Sequence, residues 1–160
     1  MKKLTIGEMY LKILDGDVSW NEISFCYKLD IDFIEEFKDK LNWHKILSYQ
    51  KLPEEYIEKI LIDKYEEYYH LLKICVRQCM YKDLWYYVSV YQELSIDFLR
   101  KHCDKIDFVQ ISLHQELDED FIHDFRFHLN WRHIIQKQDI SERFELEHKF
   151  WIKKIARGTE

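Results

Sequence analysis

Glycine and proline are nearly absent, with three glycines and one proline among 160 residues. Tight hairpins and phosphate-cradling loops therefore have almost nothing to be built from, and an all-α chain is predicted. No apolar run approaches the roughly 18 residues that a membrane helix needs. The opening MKKLTIGEMYLKIL lacks both a long apolar core and a small-residue cleavage site, so a soluble cytoplasmic protein is expected, with no membrane as partner. The four cysteines, Cys26, Cys75, Cys79 and Cys103, contain no CxxC pair. That spacing argues against a disulfide framework or a zinc ribbon, and the thiols are read as reduced. A basic half is also missing, because residues 1–80 and 81–160 each hold 12 Lys or Arg against 15 Asp or Glu. Nucleic acid is disfavoured as a partner, since a phosphate backbone wants cations clustered on one surface. The net charge of −6 is too mild for an array of carboxylates mimicking DNA. Nucleophile elbow, HExxH and Walker loop are all lacking, so no catalytic residue and no cofactor is assigned and the chain is read as non-enzymatic.

What the sequence has in quantity is repetition. Trp20 and Trp43 stand 23 residues apart, and Trp85, Phe108 and Trp131 continue at intervals of 23. Three residues after these aromatics come Ile23, Ile46, Val88, Ile111 and Ile134. Seven after come Tyr27, Gln50, Gln92, Gln115 and Gln138. Nine after lie Leu29, Leu52, Leu94, Leu117 and Ile140, followed at once by Asp30, Pro53, Ser95, Asp118 and Ser141, all residues that start helices. Phe33, Tyr56, Phe98, Phe121 and Phe144 close the motif.

Each repeat carries two helix starts. Ser19, Asn42, Asp107 and Asn130 precede the aromatic as N-caps, with Asp83 as the expected cap of the third repeat. Val18, Leu41, Ile106 and Leu129 stand before those caps, in hydrophobic-staple register with Ile23, Ile46, Ile111 and Ile134. Two short helices per repeat follow, here termed A and B. Such helices are marginal alone and must stack to bury their apolar faces, which is why the motif recurs. The interval from Trp43 to Trp85 is 42 residues, and a diverged repeat beginning at Tyr65, built as one longer helix, is expected inside it. With LTIGEMYLKIL, started by Leu4 and Thr5, and EHKFWIKKIA as terminal caps, residues 1–160 read as one domain. The predicted fold is an α-solenoid-like array of about six helix pairs.

The string W-x2-I-x3-Q-x-L-[SDP]-x2-[FY]-I, clearest in WHKILSYQKLPEEYI and WYYVSVYQELSIDFL, resembles short helical repeats of bacteriophage and large DNA virus proteins. The resemblance covers roughly residues 18–148, weakening at 65–84 and after Phe144. It implies a repeat protein of viral or phage origin acting in the host cytoplasm, without shared catalytic residues, that binds and redirects a host protein such as a defence component.

The aromatic row could be a stacking platform for bases, but its place in the helix start makes it core. The glutamine row, in the last turn of helix A, reads as a structural ladder closing each loop, against the sharper idea of a ligand-binding row. Cys75 and Cys79 with His70 and His102 permit zinc arithmetic, but buried thiols are the plainer reading and no metal is assigned. Paired carboxylates such as Glu35 and Glu36 suit first-turn helix dipoles. Seven tyrosines, Tyr65, Tyr68, Tyr69, Tyr81, Tyr86, Tyr87 and Tyr91, crowd the centre, more than a periodic core can bury. Tyr86, Tyr87, Tyr69 and Tyr81 are the candidate protein-binding residues, because exposed rings on a rigid stack make good anchors. A self-assembling module, with the same rings joining copies, is the alternative. A Cys/His metalloprotein or enzyme is the weaker one.

Overall fold

A computed structural model describes the backbone of residues 6–71 and 76–156 and the side chains of residues 7–62 and 84–153. Among the described residues it is all-helical, without a strand. Helix α1 (Ile6–Leu14) leads, followed by α2 (Trp20–Cys26) and α3 (Ile31–Glu36), then α4 (Trp43–Tyr49) and α5 (Glu54–Leu71). Next come α6 (Val76–Tyr91), α7 (Ile96–Lys101), α8 (Phe108–His114) and α9 (Glu119–Asp124). The chain continues with α10 (Trp131–Lys137), α11 (Glu142–Glu147) and α12 (Lys149–Ala156). The helices group into two compact bodies, residues 1–92 and 93–160. In the first, α2 packs on α4 and α4 on α6; in the second, α8 packs on α10 and α10 on α12.

The helices start where the sequence places caps. Ser19 makes a full capping box: its hydroxyl accepts the Glu22 N–H and its own N–H donates to the Glu22 carboxylate at 2.8 Å. That backbone bond, with the hydroxyl bond beside it, holds the Glu22 carboxyl below its ordinary value. Asn42, Asp107 and Asn130 cap their helices through side-chain oxygens. Asp30, Ser95, Asp118 and Ser141 do the same for helix B, each accepting an N–H from the Phe three residues on. Gly16, at φ 74°, occupies the left-handed position that ends α1.

Behind the caps lies a layered core. Ile23, Ile46, Val88, Ile111 and Ile134 are buried completely or nearly so, as are Phe33, Ile34, Ile57, Leu99, Phe121 and Ile122. The aromatic row is only partly core: Trp85 and Trp131 are buried, while Trp20, Trp43 and Phe108 keep an exposed edge. Trp43 and Trp131 donate their indole N–H groups to the carbonyls of Lys38 and Arg126, at 2.9 and 2.8 Å. The residue 17 positions on packs against the aromatic, Phe37 on Trp20 and Phe125 on Phe108 in tilted contact and His148 stacked on Trp131.

Among the described residues, the expected helix starts at Tyr65 and Asp83 are not found. Tyr65 lies within α5 and Asp83 within α6, so neither begins a helix. The physical reason is compositional: residues 64–71 and 76–82 contain no Ser, Thr, Asn, Asp, Gly or Pro, so neither stretch offers a capping side chain to start a new helix. The extra length instead prolongs helix B of the second repeat and helix A of the third. Gln92 of the third repeat then bonds directly to the loop of the second, its Oε1 accepting the Leu52 N–H at 3.0 Å.

Candidate functional site

Helix A directs its first, fourth and often fifth residues inward, which leaves the second, third, sixth and seventh facing away from the core. On α4 those outward residues are His44, Lys45, Ser48 and Tyr49; on α6 they include Tyr86, Tyr87 and Tyr91. Because α4 and α6 pack side by side, the α4 set with Tyr87 and Tyr91 walls a groove of about 280 Å³, and Tyr86 stands next to it.

Four of the six wall residues are ring side chains. The His44 and Tyr87 rings lie 4.9 Å apart, Tyr87 stacks on Tyr91 at 6.0 Å, and Tyr86 meets Tyr87 edge-on at 5.6 Å. Phe25 of α2 extends the row to Tyr49 at 5.8 Å. The Lys45 ammonium sits over both of these rings, 5.4 Å from Phe25 and 5.7 Å from Tyr49. Tyr49, Tyr86 and Tyr91 remain 49%, 40% and 42% exposed, unusually open for aromatics held in a fixed frame.

Of the sequence candidates, Tyr86 is exposed and Tyr87 half-buried at the groove wall. Tyr69 and Tyr81 lie outside the described side chains, as do Tyr65, Tyr68, His70, Cys75 and Cys79. Tyr49, Tyr91, His44 and Phe25 are additions that sequence reasoning missed. A signal for two of them was present: Tyr49 and Tyr91 each stand immediately before a ladder glutamine, Gln50 and Gln92.

The glutamines are occupied by the fold. The Gln50 Oε1 accepts the Leu29 N–H at 3.2 Å, and its Nε2 donates to the carbonyls of Tyr27 and Ser24. Gln92 repeats this with Leu52, Gln50 and Leu47, and Gln138 with Leu117, Gln115 and Ser112. Their amides therefore close loops.

A second hollow, of about 320 Å³, lies between α9 and α11 and is lined by Glu119, Asp120, His123, Arg143, Phe144 and Glu147. Its His123 Nδ1 stands 3.1 Å from the Nε2 of His148, whose Nδ1 lies 3.0 Å from the Phe144 carbonyl. Glu119 accepts the Ser141 N–H at 2.6 Å, a backbone bond that lowers its carboxyl below the ordinary value. This hollow is polar and tied into the fold by those bonds, whereas the groove presents open rings. Among the described residues no group of three or more His, Cys, Asp or Glu side chains is arranged to hold a metal ion, and no helix is long and apolar enough to cross a membrane.

No family model, curated protein or solved structure matches the chain.

Proposed function

We propose that the chain is a non-enzymatic α-solenoid of helix pairs that binds a protein partner through the aromatic groove on α4 and α6. The observation that carries this reading is the row Tyr49, Tyr86, Tyr87 and Tyr91, three of them substantially exposed yet fixed on helices whose opposite faces are core. Rings held this way lose little conformational freedom on binding, which is why tyrosine is enriched among the anchors of protein interfaces. The resemblance to phage and large-virus repeats supports a host factor, such as a defence component, as the partner, met in the host cytoplasm.

The test compares capture of host-lysate proteins by the native chain and by a Tyr86→Lys/Tyr91→Lys variant. Both rings are exposed, so the variant is expected to melt within a few degrees of the native protein while losing a specific captured band. Truncating central anchors typically costs more than about 2 kcal/mol, or roughly thirtyfold in affinity. Undiminished capture by a folded variant would reject the groove as the interface.

A self-assembling module is favoured by a different observation: Leu11 and Leu14 on α1, and Leu146 and Phe150 on α11 and α12, are 62–76% exposed. Apolar side chains that open are suited to contact with further copies. Light scattering over a concentration series separates the two readings, since a concentration-independent monomer rejects assembly.

A further inference from the structure

Resting on the protein-binding reading above, we infer that the groove takes an acidic segment of its partner, one placing a carboxylate at Lys45 beside an apolar or aromatic side chain laid on Tyr87 and Tyr91. The chain as a whole carries a net charge of −6, yet the groove walls hold a lysine and a histidine and no carboxylate. The loops beside it add cations at equivalent places, Lys28 after α2 and Lys51 after α4, and the Lys51 ammonium donates to the Tyr91 carbonyl at 2.7 Å. The equivalent position is cationic in the first two repeats and acidic in the third to fifth, as Glu93, Glu116 and Asp139, so the added positive charge lies on the α2 and α4 side of the groove and not after α6.

Lys45 is the centre of this recognition. Its ammonium rests against the faces of Phe25 and Tyr49 and, among the described residues, is paired with no carboxylate. Ring faces leave the remaining N–H donors pointing to solvent, where an incoming carboxylate accepts them. A cation already fixed by two rings loses less side-chain freedom on pairing than a free lysine. The hydroxyls of Tyr49, Tyr87 and Tyr91 add donors for a second acidic oxygen or for peptide carbonyls. Opposite charges across such a site steer encounter and select against basic segments.

The experiment is selection of a random 12-residue peptide display library on the native full-length chain, repeated with Lys45→Gln and with Tyr87→Ala/Tyr91→Ala. Enriched peptides are expected to carry Asp or Glu one to four positions from Phe, Tyr, Trp, Leu or Ile. Their binding should fall about tenfold or more with Lys45→Gln, and should weaken as salt is raised. Circular dichroism of each variant establishes that it is folded, and Lys45→Arg, which keeps the charge, should restore most of the binding. Enrichment of neutral or basic peptides, absence of enrichment, or peptides indifferent to Lys45→Gln would overturn the acidic-segment assignment. Capture that still depends on Tyr86 and Tyr91 would, in any of those cases, leave the protein-binding reading standing.

Discussion

At the scale of single residues, the ladder glutamine is the side chain that joins one repeat to the next. Only four residues separate helix A from helix B, which strands a loop N–H and two carbonyls in a buried corner. The glutamine of the following repeat satisfies all three, and only a carboxamide supplies acceptor and donors on one planar head. Gln50→Ala is therefore expected to destabilise the protein by about 2–4 kcal/mol, since each buried backbone group left unpaired costs about 1–3 kcal/mol. Urea melts with an unchanged slope would measure it, and a loss below about 0.5 kcal/mol would show that water replaces the amide. Glu35 acts differently, gathering Lys59 at 2.8 Å, the Tyr56 hydroxyl at 3.0 Å and Lys38 at 3.3 Å. The Lys59 bond first, then Tyr56 and Lys38, hold its carboxyl at about 2 against an ordinary 4.5. Because the folded value is depressed, the stabilisation is fully present above about pH 4.5 and is lost as pH falls toward 2. The group is 36% exposed, so screening keeps the effect below about 1 kcal/mol. Glu35→Gln should show a shallower loss of melting temperature between pH 5 and pH 3 than the native chain, on the order of that effect.

At the scale of elements, serine and leucine report where the array was lengthened. Five residues into helix A stand Ser24, Leu47, Ser89, Ser112 and Ile135. The Ser24 hydroxyl donates to the Trp20 carbonyl and accepts the Asn42 N–H at 3.0 Å, and Ser112 does the same for Asn130. The serine thus serves the cap of the helix A that follows. Leu47 is followed by α6, which runs unbroken from Val76 and has no cap N–H to offer there, so an apolar side chain fills the site at 0% exposure. Leu47→Ser should cost about 2–4 kcal/mol in a thermal melt, the range for emptying a packed leucine site with a hydroxyl added. Ser112→Ala should cost about 1 kcal/mol. The helix pairs themselves were legible, because caps and staples act within four residues and are written locally. Spacing alone could not distinguish a diverged pair from two prolonged helices, since 42 residues fit either; the missing serine at Leu47 was the discriminating sign. The groove was half legible for a similar reason. Tyr86 and Tyr87 stood out against their polar counterparts, but Tyr49 and His44 join them only through the side-by-side packing of α4 and α6. Charge across successive B helices is also a matter of packing: Glu35 pairs with Lys59, whereas Arg100 pairs with Asp124 at 2.7 Å, the same two places with signs exchanged.

At the scale of the whole molecule, the ladder bonds described for Gln50, Gln92 and Gln138 each run from one repeat to its neighbour. The Gln138 amide reaches Leu117 N–H at 2.9 Å and the carbonyls of Gln115 and Ser112, all within the second body. Stability built from nearest-neighbour contacts is a sum of local terms, so damage should spread only as far as the cooperative unit extends. Gln138→Ala removes three bonds at one junction and touches none in residues 6–71. Native-state hydrogen exchange is therefore expected to accelerate for amides of α10 to α12 and of the 115–118 loop, by about tenfold for a local loss of some 1.4 kcal/mol. Amides of α2 to α4 should exchange at their native rates, because the Gln50 junction that protects them is intact. Gln50→Ala should give the mirror result, accelerating α2 and α4 and sparing α10 to α12. Equal acceleration along the entire chain in both variants would show that the two bodies open together, and that stability is held by the array as one cooperative unit.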